Sequence, residues 1–184
     1  VGSNLLSESN GSPDAVHNSG TVQADGGQVL LTAAAVQDVF TNLVNNTGVV
    51  RANRIENSGG VIRLVGPEGT VASSGTLDAS AGDAVSTGGS VHMLGDRVGL
   101  FGNATVDVSG ATGGGEALIG GDYQGSNPDV LNASRTYVGP GAKINADAGA
   151  TGDGGRIIVW SDDATRFLGE ISARGGQSAG NGGF

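Results

Sequence analysis

The chain has 184 residues, of which 36 are glycine, four proline and none cysteine, and aromatic side chains make up 4%. That length suits one domain, the missing cysteines exclude a disulfide framework and a thiolate zinc site, and so few aromatics leave a core to be built from small and branched aliphatic side chains. Nine basic against 18 acidic residues give a formal net charge of −9, which argues against nucleic acid or an anionic membrane surface as partner, since both select clustered Lys and Arg.

In chain order, Val1–Ser12 lacks a basic stretch followed by an apolar one, so no signal peptide is expected there. Residues 1–17 read as an irregular lead-in or weak cap. From Gly20 two phrases alternate. The first, Gly-x-Val-x-Ala with conservative changes, starts at Gly20, Gly48, Gly75, Ala104, Ala142 and Gly169. The second, a Gly-Gly pair followed by alternating apolar residues, starts at Gly26, Gly59, Gly88, Gly114 and Gly154, and "GGF" at Gly182 begins another. Both phrases have the period of two that marks a strand. The first phrase recurs at 27 to 29 residues except between Ala104 and Ala142. Such recurrence predicts one coil of a parallel β-solenoid per repeat, about six coils in all. The expected interior is Val22, Val50, Leu77, Val106, Ile144 and Ile171 from the first strand. The second strand adds Val29 and Leu31, Ile62 and Leu64, Val91 and Met93, Ala117 and Ile119, Ile157 and Val159. A weaker third strand is expected at Pro67–Ser73 and Asp96–Gly102, and the glycines are expected to turn corners, often with positive φ.

Two coils carry extra residues. In Ala33–Asn46 the residues Val36, Val39, Phe40, Leu43 and Val44 follow helical spacing, which predicts a short flanking helix near 34–44. The surplus in the fourth coil predicts a long loop near 120–138 that includes Tyr123 and Tyr137. The chain reads as a single β-helix segment over 1–184, an internal fragment of a longer rod, because no C-terminal cap is seen and a solenoid needs one.

The glycine-rich "ATGGGEALIGGDYQG" (Ala111–Gly125) invites a nucleotide-loop reading, but it lacks the lysine and Ser/Thr of a Walker motif, and a strand phrase follows in place of a helix. It is the fourth copy of the structural unit. In register, the outward positions of the first strand would stack as Gln23, Arg51, Asp78, Asp107, Asn145 and Ser172. Asp78 and Asp107 then form an outward acid ladder, readable as a solvated face, a cation site or the acid pair of a glycosidase. Asp162 and Asp163 read as a turn with Arg166 as ion partner, and Trp160 as a cover for the core edge. His17 and His92 fall in different coils, so no metal, cofactor or catalytic set is expected from them. Tyr123, Gln124 and Tyr137 are the candidate partner-contact loop, with a glycan as candidate ligand.

Taken together, "VNNTGVVRA" (Val44–Ala52), "GGSVHMLGDRVGLFGNATVDVSG" (Gly88–Gly110), "IGGDYQG" (Ile119–Gly125), "TYVGPGAKINADA" (Thr136–Ala148) and "GDGGRIIVWSDDATRFLGEISARGG" (Gly152–Gly176) resemble filamentous haemagglutinin-like exoproteins, the secreted partners of Gram-negative two-partner secretion systems. The resemblance implies a right-handed parallel β-helix, exported through an outer-membrane transporter barrel to the cell surface or medium. That family's secretion domain is not recognisable in the sequence. The expected function is a non-enzymatic structural segment of an adhesin or biofilm-matrix protein, with no stable membrane insertion. Two other readings stand beside it: a β-helical polysaccharide-active enzyme using Asp78 and Asp107, and a fibre subunit associating end to end through its strand edges.

Overall fold

The computed structural model describes residues 14–33, 42–53 and 60–184. In chain order the strands are β1 (Asp14–Asn18), β2 (Thr21–Gln23), β3 (Gln28–Thr32), β4 (Asn42–Asn46), β5 (Val49–Arg51), β6 (Val61–Ser73), β7 (Thr76–Asp78) and β8 (Ser90–Leu100). They continue as β9 (Thr105–Asp107), β10 (Glu116–Ile119), β11 (Arg135–Val138), β12 (Lys143–Asn145), β13 (Arg156–Val159), β14 (Ala164–Phe167) and β15 (Glu170–Ser172). Every pairing between them is parallel, with the rungs ~4.8 Å apart.

The first phrase builds a six-stranded sheet in the order β15-β12-β9-β7-β5-β2. The second phrase builds the column β3, β6, β8, β10 and β13. A third column runs β1, β4, the end of β6, the end of β8, β11 and β14. Strands β6 and β8 bend round a corner and serve both the second and third columns. Their ladder is interrupted between Gly66 and Thr70, where β6 has Pro67, Glu68 and Gly69 against the lone Asp96 of β8. The stack makes about five complete turns rather than six, because the second column holds one rung fewer than the other two.

The interior is the one the alternation predicts. Val50, Leu77 and Val106 are fully buried and Ile144 nearly so, as are Ile62, Leu64, Val91, Met93, Ala117 and Ile119. Val22, Leu31 and Val159 pack against this cluster from the ends. Ile171 departs from the set at 44% exposure, because β15 has a neighbour on one side only among the described residues. Each buried Val, Ile or Leu contributes roughly 1.5–3 kcal/mol before chain entropy is counted, so the coil is held by many similar small terms.

Three expectations need revision. The helix near 34–44 does not extend to its end: Asn42–Asn46 is strand β4, laddered between β1 and β6. Val36, Val39 and Phe40 lie outside the described residues. Leu43 and Val44 mimic helical spacing because both faces of β4 are covered here. Val44 faces the interior, and Leu43 fits against Gly66 and Gly69 of the uneven corner. Second, Asp14–Asn18 is strand β1, so the ladder already includes the last residues of the expected lead-in. Third, Gly26 of the first pair has the expected positive φ of 69°, but from Gly60 onward the paired glycines are needed for clearance. A Cβ on Gly89 would lie 2.2 Å from the Gly60 carbonyl oxygen, one on Gly115 would lie 1.9 Å from that of Gly89, and one on Gly155 would lie 2.1 Å from that of Gly115. These glycines stand directly over one another, and a side chain on any would strike the backbone of the coil beside it.

The third column changes character along the rod. At its start the inward positions are Asn18, Asn46 and Ser73, and the last two are fully buried. Asn18 Nδ2 donates to Asn46 Oδ1 at 2.8 Å, and Asn46 Nδ2 donates to Ser73 Oγ at 3.1 Å. The same inward position on the next rungs is Leu100 and Val138, both fully buried.

Candidate functional site

The outward acid ladder forms in the expected register: Arg51 opposes Asp78, Asp78 opposes Asp107, and Asp107 opposes Asn145. Its carboxylates are engaged locally. Asp78 Oδ1 accepts from the Ser80 amide at 3.1 Å and from Ser80 Oγ at 2.7 Å, while Oδ2 accepts from Arg51 Nε and Asn53 Nδ2, each at 3.2 Å. Asp107 Oδ1 accepts from the Ser109 amide at 2.9 Å, and Asn145 Oδ1 accepts from the Asp147 amide at 3.1 Å. The same Asx turn thus recurs at the end of the first strand in three successive coils, where a short side-chain acceptor satisfies the amide two residues on. No group of three or more His, Asp or Glu that could hold a metal occurs among the described residues.

The long loop leaves β10 at Gly120 and returns at Ser134, whose amide donates to the Asp96 carbonyl at 2.7 Å. Gly120, Gly121 and Gly125 have φ of 84°, 155° and 60°. Side chains on Gly121 and Gly125 would also collide with the Trp160 indole. Trp160 is half-buried and packs against these loop glycines. Its Nε1 donates to Asp162 Oδ1 at 3.0 Å. The expected pairing of Arg166 with Asp162 or Asp163 is not formed.

Charge ties the loop down. Asp122 accepts from Arg156 Nη2, from Asn127 Nδ2 at 2.9 Å and from the Tyr123 amide at 2.6 Å. These donors, Asn127 first, lower the Asp122 carboxyl to a pKa of about 2. Arg156 Nη1 also donates to Glu116 Oε2 at 2.8 Å, and Glu116 Oε1 meets His92 Nε2 at 3.1 Å. The bond to His92, and then Arg156, hold the Glu116 carboxyl below its usual range despite partial burial. Glu116 and Arg156 oppose each other on adjacent rungs. The network therefore joins β8, β10 and β13 to the loop. Sequence reading missed it, because His92, Glu116 and Arg156 align only once coils are stacked.

The candidate contact residues divide. Tyr123 and Gln124 sit in a single 3-10 turn, Tyr123–Gly125, with Gln124 Nε2 3.3 Å from the Tyr123 hydroxyl. Tyr123 meets the Phe184 ring edge-on at 5.3 Å. Tyr137 lies instead on β11 and faces outward beside Phe101, with ring centroids 5.3 Å apart. No ring contact joins the two tyrosines.

Among solved structures, the chain is similar to the HMW1 secretion domain from Haemophilus influenzae. The TM-score is 0.77 and the identity 29%, over 91% of this chain and 42% of that one. This chain therefore spans less than half the length of the structure it resembles. No family model matches the sequence, and no curated protein does.

Proposed function

We propose that this chain is a structural segment of a secreted exoprotein of the two-partner type, handled by an outer-membrane transporter barrel and left as part of an extended rod at the cell surface. The observation that carries this reading is the likeness to a secretion domain over 91% of the chain. A second support is architectural. The coils bury their apolar residues against neighbouring coils, so stability accrues rung by rung as the chain winds. Antibodies against the chain, applied to intact source cells, test it: surface staining that disappears when the transporter barrel is deleted is the expected result. Antigen confined to the cytosol sinks it. An adhesive or biofilm-matrix role is the finer reading of the same rod, and a cell-attachment assay with the chain deleted checks it.

The polysaccharide-active enzyme is the competing reading, and the adjacency of Asp78 and Asp107 is its one support. Their recurrent Asx-turn bonds favour a structural role, because Asn145 performs the same task without an acid. A screen on acidic and neutral glycans discriminates: cleavage that Asp78→Asn abolishes would displace the structural reading.

A further inference from the structure

The third column presents an outward face that the repeat phrases do not reveal. Parallel register sets its side chains on a grid. One row runs Thr70, Arg97, Arg135, Ala164, and the next runs Ala72, Gly99, Tyr137, Arg166. Arg97 and Arg135 are therefore neighbours on adjacent rungs, and Arg166 is the rung neighbour of Tyr137. Gly99 stands beside Tyr137, and its missing side chain matters: a Cβ there would lie 2.2 Å from the Phe101 ring. The Phe101 ring is thereby free to lie over the strand and meet Tyr137 at an interplanar angle of 30°. The result is an open cleft of about 330 Å³ whose lining includes two aromatic rings and three arginines.

The charge of this cleft runs against the molecule. Three of only nine basic residues converge here, in a chain of net charge −9. Arg97 has Asp96 as an exposed neighbour at 3.7 Å. Arg135 and Arg166 are exposed and make no ion pair or side-chain hydrogen bond among the described residues. Unpaired guanidinium forks beside aromatic rings are suited to a ligand with planar anions and an apolar face. Outside this cleft six basic residues stand against the chain's 18 acidic ones, which weakens the attraction of long dense polyanions to the rest of the surface.

We propose that this cleft binds an acidic polysaccharide of the uronate type. Ring carboxylates would take the Arg97, Arg135 and Arg166 forks, and a sugar face would rest on Phe101 and Tyr137. The ~4.8 Å rung spacing sets Arg97 and Arg135 side by side, and Arg166 lies one rung further and two residues along the strand, so the three forks follow a diagonal that an extended chain can track. The site stands on this face alone and does not depend on the export reading.

The test is calorimetric titration of the intact chain with oligogalacturonate, alongside a neutral hexasaccharide, a sulfated oligosaccharide, polyglutamate and single-stranded DNA. Oligogalacturonate is expected to bind most tightly, and to weaken as salt is raised. Arg135→Ala and Arg166→Ala should each weaken it at least tenfold, while Tyr137→Phe retains it and Tyr137→Ala does not. Both arginines are exposed, so unchanged circular dichroism melts will verify that these variants are folded, and Arg135→Gln provides a second variant that keeps the side-chain length. Absence of oligogalacturonate binding, or binding that neither arginine change weakens, overturns the proposal. So does equal or tighter binding of the neutral sugar, the sulfated sugar, polyglutamate or DNA.

Discussion

The sheet built from the first phrase and the face that carries the long loop sit on one rod and are held by different physics. In the sheet, three-residue strands repeat with almost the same spacing, aliphatic side chains fill the interior, and three successive corners are each closed by their own Asx turn. On the loop face, a single insertion between Ile119 and Arg135 is pinned by one charge network through Arg156. A repeated element can lose one contact and keep its neighbours, whereas an element that occurs once depends on its own few anchors.

Five measurements break or sharpen this contrast. Val106→Asp places an unpaired charge at a fully buried site on the central strand of the sheet. A loss of about 4 kcal/mol or more is expected in urea unfolding followed by circular dichroism. Gly89→Ala pushes a methyl group into the Gly60 carbonyl and should cost about 2–3 kcal/mol in the same assay. A Gly89→Ala variant as stable as the parent would show that the coils can spread apart.

Asp122→Asn weakens the loop's anchor while leaving the coil intact. A cost of about 1–2 kcal/mol is expected, seen as faster amide exchange across residues 123–133 with the β-strand amides unchanged. Acid should act in the same place. The Asp122 carboxyl is depressed to about 2, against about 3.9 in an unfolded chain. Its contribution is complete above pH 4 and is lost as the pH falls through 2. Loop protection factors, corrected for the intrinsic pH dependence of amide exchange, that stay constant from pH 6 to pH 2 would contradict this assignment. Smallest of all, Gln23→Ala on the outward ladder should shift stability by less than about 0.5 kcal/mol.

The sheet was legible because its inward positions are chemically alike from coil to coil, so Val22, Val50, Leu77, Val106 and Ile144 announce themselves by spacing alone. The third column was only half legible. Its inward position passes from Asn46 through Ser73 to Leu100 and Val138, and no single phrase survives that change. The end of the expected helix, Asn42–Val44, is strand because adjacent Leu43 and Val44 are both buried, which hides the alternation of β4. The arginine cleft left no linear trace, since Arg97 and Arg135 become neighbours only after the loop between them is discounted. Reading the stacked glycines as turn formers identified their positions and missed their reason, because clearance against a neighbouring coil is not written in local spacing.

Asn46 gives these near-identical storeys an address. Its amide is sealed from water with Asn18 on one side and Ser73 on the other. Shifted along the axis to stand beside Leu100 or Val138, it would lose both side-chain partners and keep only its own Gly48 carbonyl at 3.3 Å, at a cost of about 1–3 kcal/mol. A chain that winds from similar pieces must avoid seating a piece one level too far along, and this polar trio discriminates against that error in the first three described rungs of the third column.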